Sequence, residues 1–177
     1  MIDVHMAISE TANPRWLDLC LKSLRHEPIK LHIIEPVMGD FGEMRMRGIS
    51  KGTHDFVGWV DPDDLIIPGS YQKLLNVIDQ HSFAWTNEQV WDTTRDLSRV
   101  FNMWTEERPH HMHIIRRDSF DLKDIPELIG KEDKHKKWLY DMAKSGKHLE
   151  QIGYIWRNYS SSLSREYFRQ TRVVNVA

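Results

Sequence analysis

Asp61, Asp63 and Asp64 close the apolar run Asp55-Phe56-Val57-Gly58-Trp59-Val60. Carboxylates this close repel one another, and a divalent cation removes that cost. Hard cations such as Mg²⁺ and Mn²⁺ take oxygen ligands, and Mg²⁺ is commonly held by one or two carboxylates together with substrate phosphates. The plainer alternative is a solvated acidic turn leading into a helix at Pro68. A second group is His110-His111-Met112-His113. Residues two apart on a strand share a face, so His111 and His113 can point one way, towards phosphate or metal. A polar loop edge is the plainer alternative there. The chain has 10 His and 7 Trp. Trp85, Trp91 and Trp104 are candidates for stacking on a flat or sugar-like ligand, whereas Trp59, inside an apolar run, is expected in the core.

The elements that must position these residues follow from periodicity. Ile2 to Ile8 alternates apolar and polar and reads as a strand. Asn13 and Pro14 are N-cap and first-turn residues for a helix carrying Trp16, Leu17, Leu19, Cys20, Leu21 and Leu24. A strand over 31–34 follows, then a helix over 42–51 stopped by Gly52, a strand over 55–60, and a helix over 68–80. The order β-α-β-α-β-α predicts a mostly parallel sheet flanked by helices with right-handed crossovers. Ligands in such sheets sit beyond the carboxyl ends of the strands, where residues 9–13, 35–40 and 61–64 fall. The second half is mixed. Strands are expected over 83–90, 97–104, 113–116 and 151–156, with a helix over 131–145 that carries Trp138, Leu139 and Met142 and is capped by Gly146.

Composition narrows the classes. The chain has 177 residues, 24 basic and 26 acidic, for a net charge of −2. That balance excludes a histone-like or polybasic-arm binder but not a local basic groove. Such a groove for nucleic-acid phosphates has candidates in Arg116, Arg117, Lys131, Lys134, Lys136, Lys137, Arg165, Arg169 and Arg172, which otherwise form ordinary solvated faces. With 40% hydrophobic residues the chain can bury a core. Its single cysteine, Cys20, excludes an internal disulfide and a cysteine-rich zinc module. No apolar run approaches the roughly 20 residues that span a bilayer. The start lacks the regions of a signal peptide, which predicts a cytoplasmic protein.

The segments Arg45-Met46-Arg47-Gly48-Ile49-Ser50-Lys51-Gly52, Asp55 to Asp64, and Pro68-Gly69 together resemble the centre of the GT-A glycosyltransferases, especially the inverting family 2 type. Lys131-Glu132-Asp133 at a helix start is similar to that family's Glu-Asp motif. Tyr154-Ile155-Trp156-Arg157 with Ser160 to Ser164 is similar to its closing strand and loop. The likeness covers nearly the whole chain in order, and the short length resembles phage-encoded members. It implies a GT-A fold in one domain over 1–177. Residues 1–80 would be the nucleotide-sugar-binding half and 81–177 the acceptor-binding and catalytic-base half.

The resemblance also implies roles. Asp61 and Asp63 hold Mn²⁺ or Mg²⁺ or the donor ribose, and Asp64 supports the loop or caps a helix. Asp133, with Glu132 beside it, is the base that takes the acceptor proton, and a helix N-terminus keeps a carboxylate ionised for that task. Arg45 faces the donor, where a guanidinium suits a diphosphate. Ser9 and Thr11 meet the nucleoside and Glu35 reads its base. His111, His113, Trp104 and Arg157 contact phosphates or acceptor. Many relatives carry a histidine two residues after the arginine of the closing strand. Here Tyr159 takes that place, so a metal site needs His111, His113, His148 or water instead. The implied partners are a nucleotide-diphosphate sugar, a UDP-sugar first, and an acceptor glycan. Alternatives are a hydroxylated base of phage DNA as acceptor, and a non-catalytic nucleotide-sugar or glycan binder. A nucleotidyltransferase or nuclease needs a second metal-ligand set roughly 4 Å away, for which no partner acidic strand is evident.

Overall fold

In the computed structural model the described residues are 1–37, 41–93, 97–101, 111–120 and 132–158, those at 41, 42, 92, 97–101, 132–136 and 158 by backbone alone. The elements are β1 (Ile2–Ala7), α1 (Pro14–Leu24), β2 (Ile29–Ile34), α2 (Phe41–Ile49), β3 (Phe56–Trp59), β4 (Leu65–Ile66), α3 (Ser70–Ile78), β5 (Phe83–Asp92), β6 (Leu97–Phe101), β7 (His113–Arg116), a 3₁₀ turn at Arg117–Ser119, α4 (Glu132–Ala143) and β8 (Lys147–Asn158). The strands form one sheet in the order β2-β1-β3-β7-β5-β8-β4, with β6 also paired to β5. β1 is parallel to β2 and β3, whereas β7 is antiparallel to both β3 and β5. The sheet is thus parallel in its first half and mixed in its second, as the element order predicts.

Asn13 caps α1 by accepting from the backbone N–H groups of Arg15 and Trp16. Helices α1 and α3 cover one face of the sheet. Cys20, Leu24, Tyr71, Leu74 and Ile78 pack there on Ile2, Val4, Met6 and Ile114. Leu19 and Leu21 lie outside that stripe and are exposed, because a helix of 3.6 residues per turn cannot aim every apolar residue inward. Helices α2 and α4 cover the other face, where Met46, Ile49, Leu139 and Ala143 pack on Val57, Trp59, Phe83, Trp85 and Ile115. Trp85 belongs to this core and stacks on His148, so it does not serve as an open platform for a ligand.

Several boundaries differ from the sequence expectation, each for a local reason. α3 begins at Ser70, after a Pro68-Gly69 turn, and its start is capped from a distance. Glu27 accepts from the backbone N–H of Gly69 and of Tyr71. β4 is too short, at 2 residues, to show a pattern, and it exists by pairing with β8. β8 runs for 12 residues because β5 shelters its full length, through a register shift around Asn87. Gly146 does not take the left-handed backbone of a helix cap. It is required there because a Cβ would stand 2.8 Å from the Phe83 carbonyl and 2.9 Å from the Trp85 ring.

The polar residues of β1 are buried as deeply as its apolar ones, because helices cover both faces. Asp3 accepts from His32 Nε2 and His54 Nδ1, both at 2.8 Å, from the His54 backbone N–H at 2.7 Å, and from Arg117 at 3.0 Å. Gly52, with φ +82°, brings the chain past this carboxylate where a Cβ would stand 2.1 Å from it. Burial pushes the Asp3 carboxyl up, but the hydrogen bonds from His32 and His54 outweigh that and hold it well below the usual carboxylate range. Its contribution is therefore present above the unfolded pKa near 4 and is lost as pH falls towards the folded value. Asp3→Ala is expected to cost about 3 kcal/mol in chemical denaturation at pH 7. The gap from wild type narrows progressively below about pH 4.

Candidate functional site

The parallel, in-register pairing of β1 with β2 and β3 sends the segments after Ala7, Ile34 and Trp59 off the same carboxyl edge of the sheet. Ser9 and Thr11 lie in the first segment with their hydroxyls 3.1 Å apart. Glu35 lies exposed at the start of the second. The third carries Asp61, Asp63 and Asp64. Its turn is tied by the Asp64 backbone N–H to the Asp61 carbonyl, which also accepts from Cys20 Sγ.

Asp64 is 1% exposed. It caps no helix. Its carboxylate accepts from the Tyr154 hydroxyl at 2.7 Å and from the Arg157 backbone N–H at 2.7 Å. Burial and the neighbouring Asp63 charge raise its carboxyl well above the usual range. The Tyr154 hydroxyl also accepts from the Asp61 backbone N–H at 3.2 Å. Arg157 is 2% exposed, and donates to the Asp63 carbonyl at 2.5 Å with its guanidinium over the rings of Trp16 and Trp91, 5.4 and 5.6 Å from their centroids. It thus fastens the acidic turn to β8 from within.

Asp61 is the more open carboxylate. Arg45 donates to its Oδ1 at 2.6 Å, and its Oδ2 stands 3.6 Å from His111 Nε2. Arg45 also lies over the Trp59 ring, 4.8 Å from its centroid. Ligand atoms of Asp61, Asp64 and His111 all lie within 4.8 Å of one another. Two carboxylate oxygens and one imidazole nitrogen are a donor set that suits a divalent cation. Sequence spacing pairs Asp61 with Asp63, whereas the geometry gathers Asp61 with Asp64 and His111.

The two histidines diverge. His111 precedes β7, stacks on Tyr154 with centroids 5.1 Å apart and faces the carboxylates. His113, on β7, packs against Phe83 and Trp59 on the α2/α4 side of the sheet. The shared face expected of them fails because residues 111 and 112 have not yet entered the strand. His148 Nε2 donates to Asn87 Oδ1 at 2.9 Å, and its ring stacks on Trp85. Arg116 bonds the carbonyls of Asp79 and His81, and Arg117 bonds those of Ile49, Lys51 and His54 as well as Asp3. Both guanidinium groups are thus engaged with the protein's own backbone.

Glu132 and Asp133 lie in the first turn of α4, and their side chains lie outside the described residues. Trp104 and Tyr159 are outside them as well. Sequence reasoning missed two members of the site. Glu88 is a buried carboxylate on β5, signalled only by its charge within a strand rich in aromatic and β-branched residues. Tyr154 was legible as part of a strand but not as the bridge between Asp61 and Asp64.

Burial pushes His111 down, and the facing Glu88 carboxylate overrides this and raises it to about 9. The protein gains stability from that proton below about pH 6.5, and loses it as pH rises through about 9. An NMR titration should find His111 near that midpoint in wild type and displaced downward in Glu88→Gln.

No family model and no curated protein sequence matches the chain. Solved structures are similar to it in fold. TarS 1–349 of S. aureus in complex with UDP-GlcNAc has a TM-score of 0.66 at 14% identity over 99% of this chain and 65% of that one. TarS 1–349 alone gives 0.63 at 15% identity, over 97% and 64%. A197 from STIV gives 0.53 at 12% identity, over 87% and 83%. The chain therefore spans just under two thirds of the TarS fragment. Its fold is the mixed α/β GT-A architecture of TarS, as the sequence resemblance implied.

Proposed function

We propose that this chain transfers a sugar from a nucleotide-diphosphate sugar, a UDP-sugar, to the hydroxyl of an acceptor glycan, with inversion. The observation that carries the reading is the group Asp61, Asp64 and His111 at the carboxyl end of β3, in a fold shared with a protein solved with UDP-GlcNAc. Asp61 and Asp63 meet the cation and the donor, with Asp64 and His111 completing the donor set. Ser9 and Thr11 meet the nucleoside, and Glu35 reads its base. Arg45, fixed on Asp61, places a permanent positive charge beside the diphosphate. Arg157 acts from below, by holding the Asp63 backbone. Residues 1–80 bind the donor, and 81–177 bind the acceptor and supply the base.

The acceptor oxygen forms a bond to the anomeric carbon on the face opposite the diphosphate. The bond from that carbon to the diphosphate oxygen breaks, and its electron pair leaves with the diphosphate. The hydroxyl proton passes to the Asp133 carboxylate, with Glu132 beside it at the helix start. Bound Mn²⁺ or Mg²⁺ supplies a Lewis acid for the departing charge. The inward engagement of Arg116 and Arg117 favours a glycan acceptor over DNA, since two of the cations a DNA groove would need are occupied.

Calorimetry with UDP tests the donor site. Binding is expected to require Mn²⁺ and to weaken at least tenfold in Asp61→Ala. Asp133→Asn should leave UDP binding unchanged and lower transfer by a factor of about 100 or more. UDP binding that ignores both Mn²⁺ and Asp61→Ala, or no binding by folded protein, contradicts the reading. Turnover unchanged in Asp133→Asn removes Asp133 as the base.

A further inference from the structure

Glu88 stands at the middle of β5 with 1% exposure. Burying a carboxylate is costly unless it is thoroughly hydrogen-bonded. Three of its hydrogen bonds go to the segment that opens β7. Oε1 accepts from the backbone N–H of His111 at 2.5 Å and of Met112 at 3.2 Å, and Oε2 lies 3.1 Å from His111 Nδ1. A carboxylate engaged with Nδ1–H leaves Nε2 as the nitrogen that can hold a metal. That Nε2 is the atom 3.6 Å from Asp61 Oδ2. The other side of the ring is set by Tyr154, which stacks on it at an interplanar angle of 7° and bonds Asp64 through its hydroxyl. Backbone, ring nitrogen and ring plane of His111 are thus all set by Glu88 and Tyr154.

We propose that Glu88 is the positioning residue of the cation site, holding His111 so that Nε2 is presented beside Asp61 and Asp64 as the one nitrogen ligand. The proposal rests on the cation-dependent reading above. It adds that the ligand set is completed by a carboxylate–imidazole pair brought from β5 and the start of β7, elements of the second half of the chain. Partners of this kind fix the orientation of a ligating histidine and raise its basicity.

Electron spin-echo spectroscopy of bound Mn²⁺ tests this directly, because an imidazole nitrogen on the metal modulates the echo and a carboxylate oxygen does not. Wild type is expected to show ¹⁴N modulation, and His111→Gln to lose it. Glu88→Gln keeps the side-chain shape but cannot accept both backbone N–H groups and the ring N–H. Glu88→Asp keeps the charge but falls short of the ring. Both are expected to lose the modulation or cut it several-fold while Mn²⁺ stays on the carboxylates. Should Glu88→Gln fail to fold, Glu88→Asp decides. Wild-type modulation retained in the Glu88 variants overturns the proposal and leaves Glu88 a structural tether. Mn²⁺ bound by wild type without ¹⁴N modulation overturns the proposal and spares the cation site. No Mn²⁺ binding by wild type overturns both.

Discussion

The site depends on one buried carboxylate. Asp64 sits in the turn between β3 and β4 and bonds through its two oxygens to residues of β8, the Tyr154 hydroxyl and the Arg157 backbone N–H. A buried carboxylate survives only when its oxygens are satisfied. Here the satisfying groups come from roughly 90 residues later in the chain, so the acidic turn cannot form its geometry until β8 is docked. Tyr154 passes the constraint on. Its hydroxyl also takes the Asp61 N–H, and its ring carries His111. Arg157 repeats the tie at Asp63. The first half of the chain provides the carboxylates, and the second half decides where they point.

The two edges of the parallel sheet divide the work. At the amino edge, Asp3 is saturated by His32, His54 and Arg117, a cluster that joins β1, β2, the segment before β3 and the turn after β7. Its charges are compensated within the protein, which suits a structural knot. At the carboxyl edge Asp61 takes Arg45 on Oδ1 and stands with Oδ2 towards His111, in one group with Asp64.

Local signals in the sequence carried much of the fold. Asn13-Pro14 opens α1, Gly52 follows α2, and the Asp61–Asp64 turn ends β3, because caps, helix stops and apolar runs act over a few residues. The GT-A architecture was legible from motifs in order. What stayed hidden was long-range. Glu27 caps α3 across 42 and 44 residues, and Glu88 reaches His111 across 23. No pattern in a single sequence announces such pairings. The same limit explains the acidic turn. Residue types alone cannot say which of Asp61, Asp63 and Asp64 faces inward, and β8 settles that by bonding Asp64. It also explains His111 and His113, whose spacing suggests one face, although the strand begins only at His113.

The most direct test of the account is a crystal structure of the protein grown with UDP and Mn²⁺, with anomalous scattering recorded at the manganese edge. The account predicts one strong anomalous peak among Asp61, Asp63, Asp64 and His111, with the UDP diphosphate beside it. A peak elsewhere, or UDP bound away from the carboxyl edge of β1, β2 and β3, would contradict it.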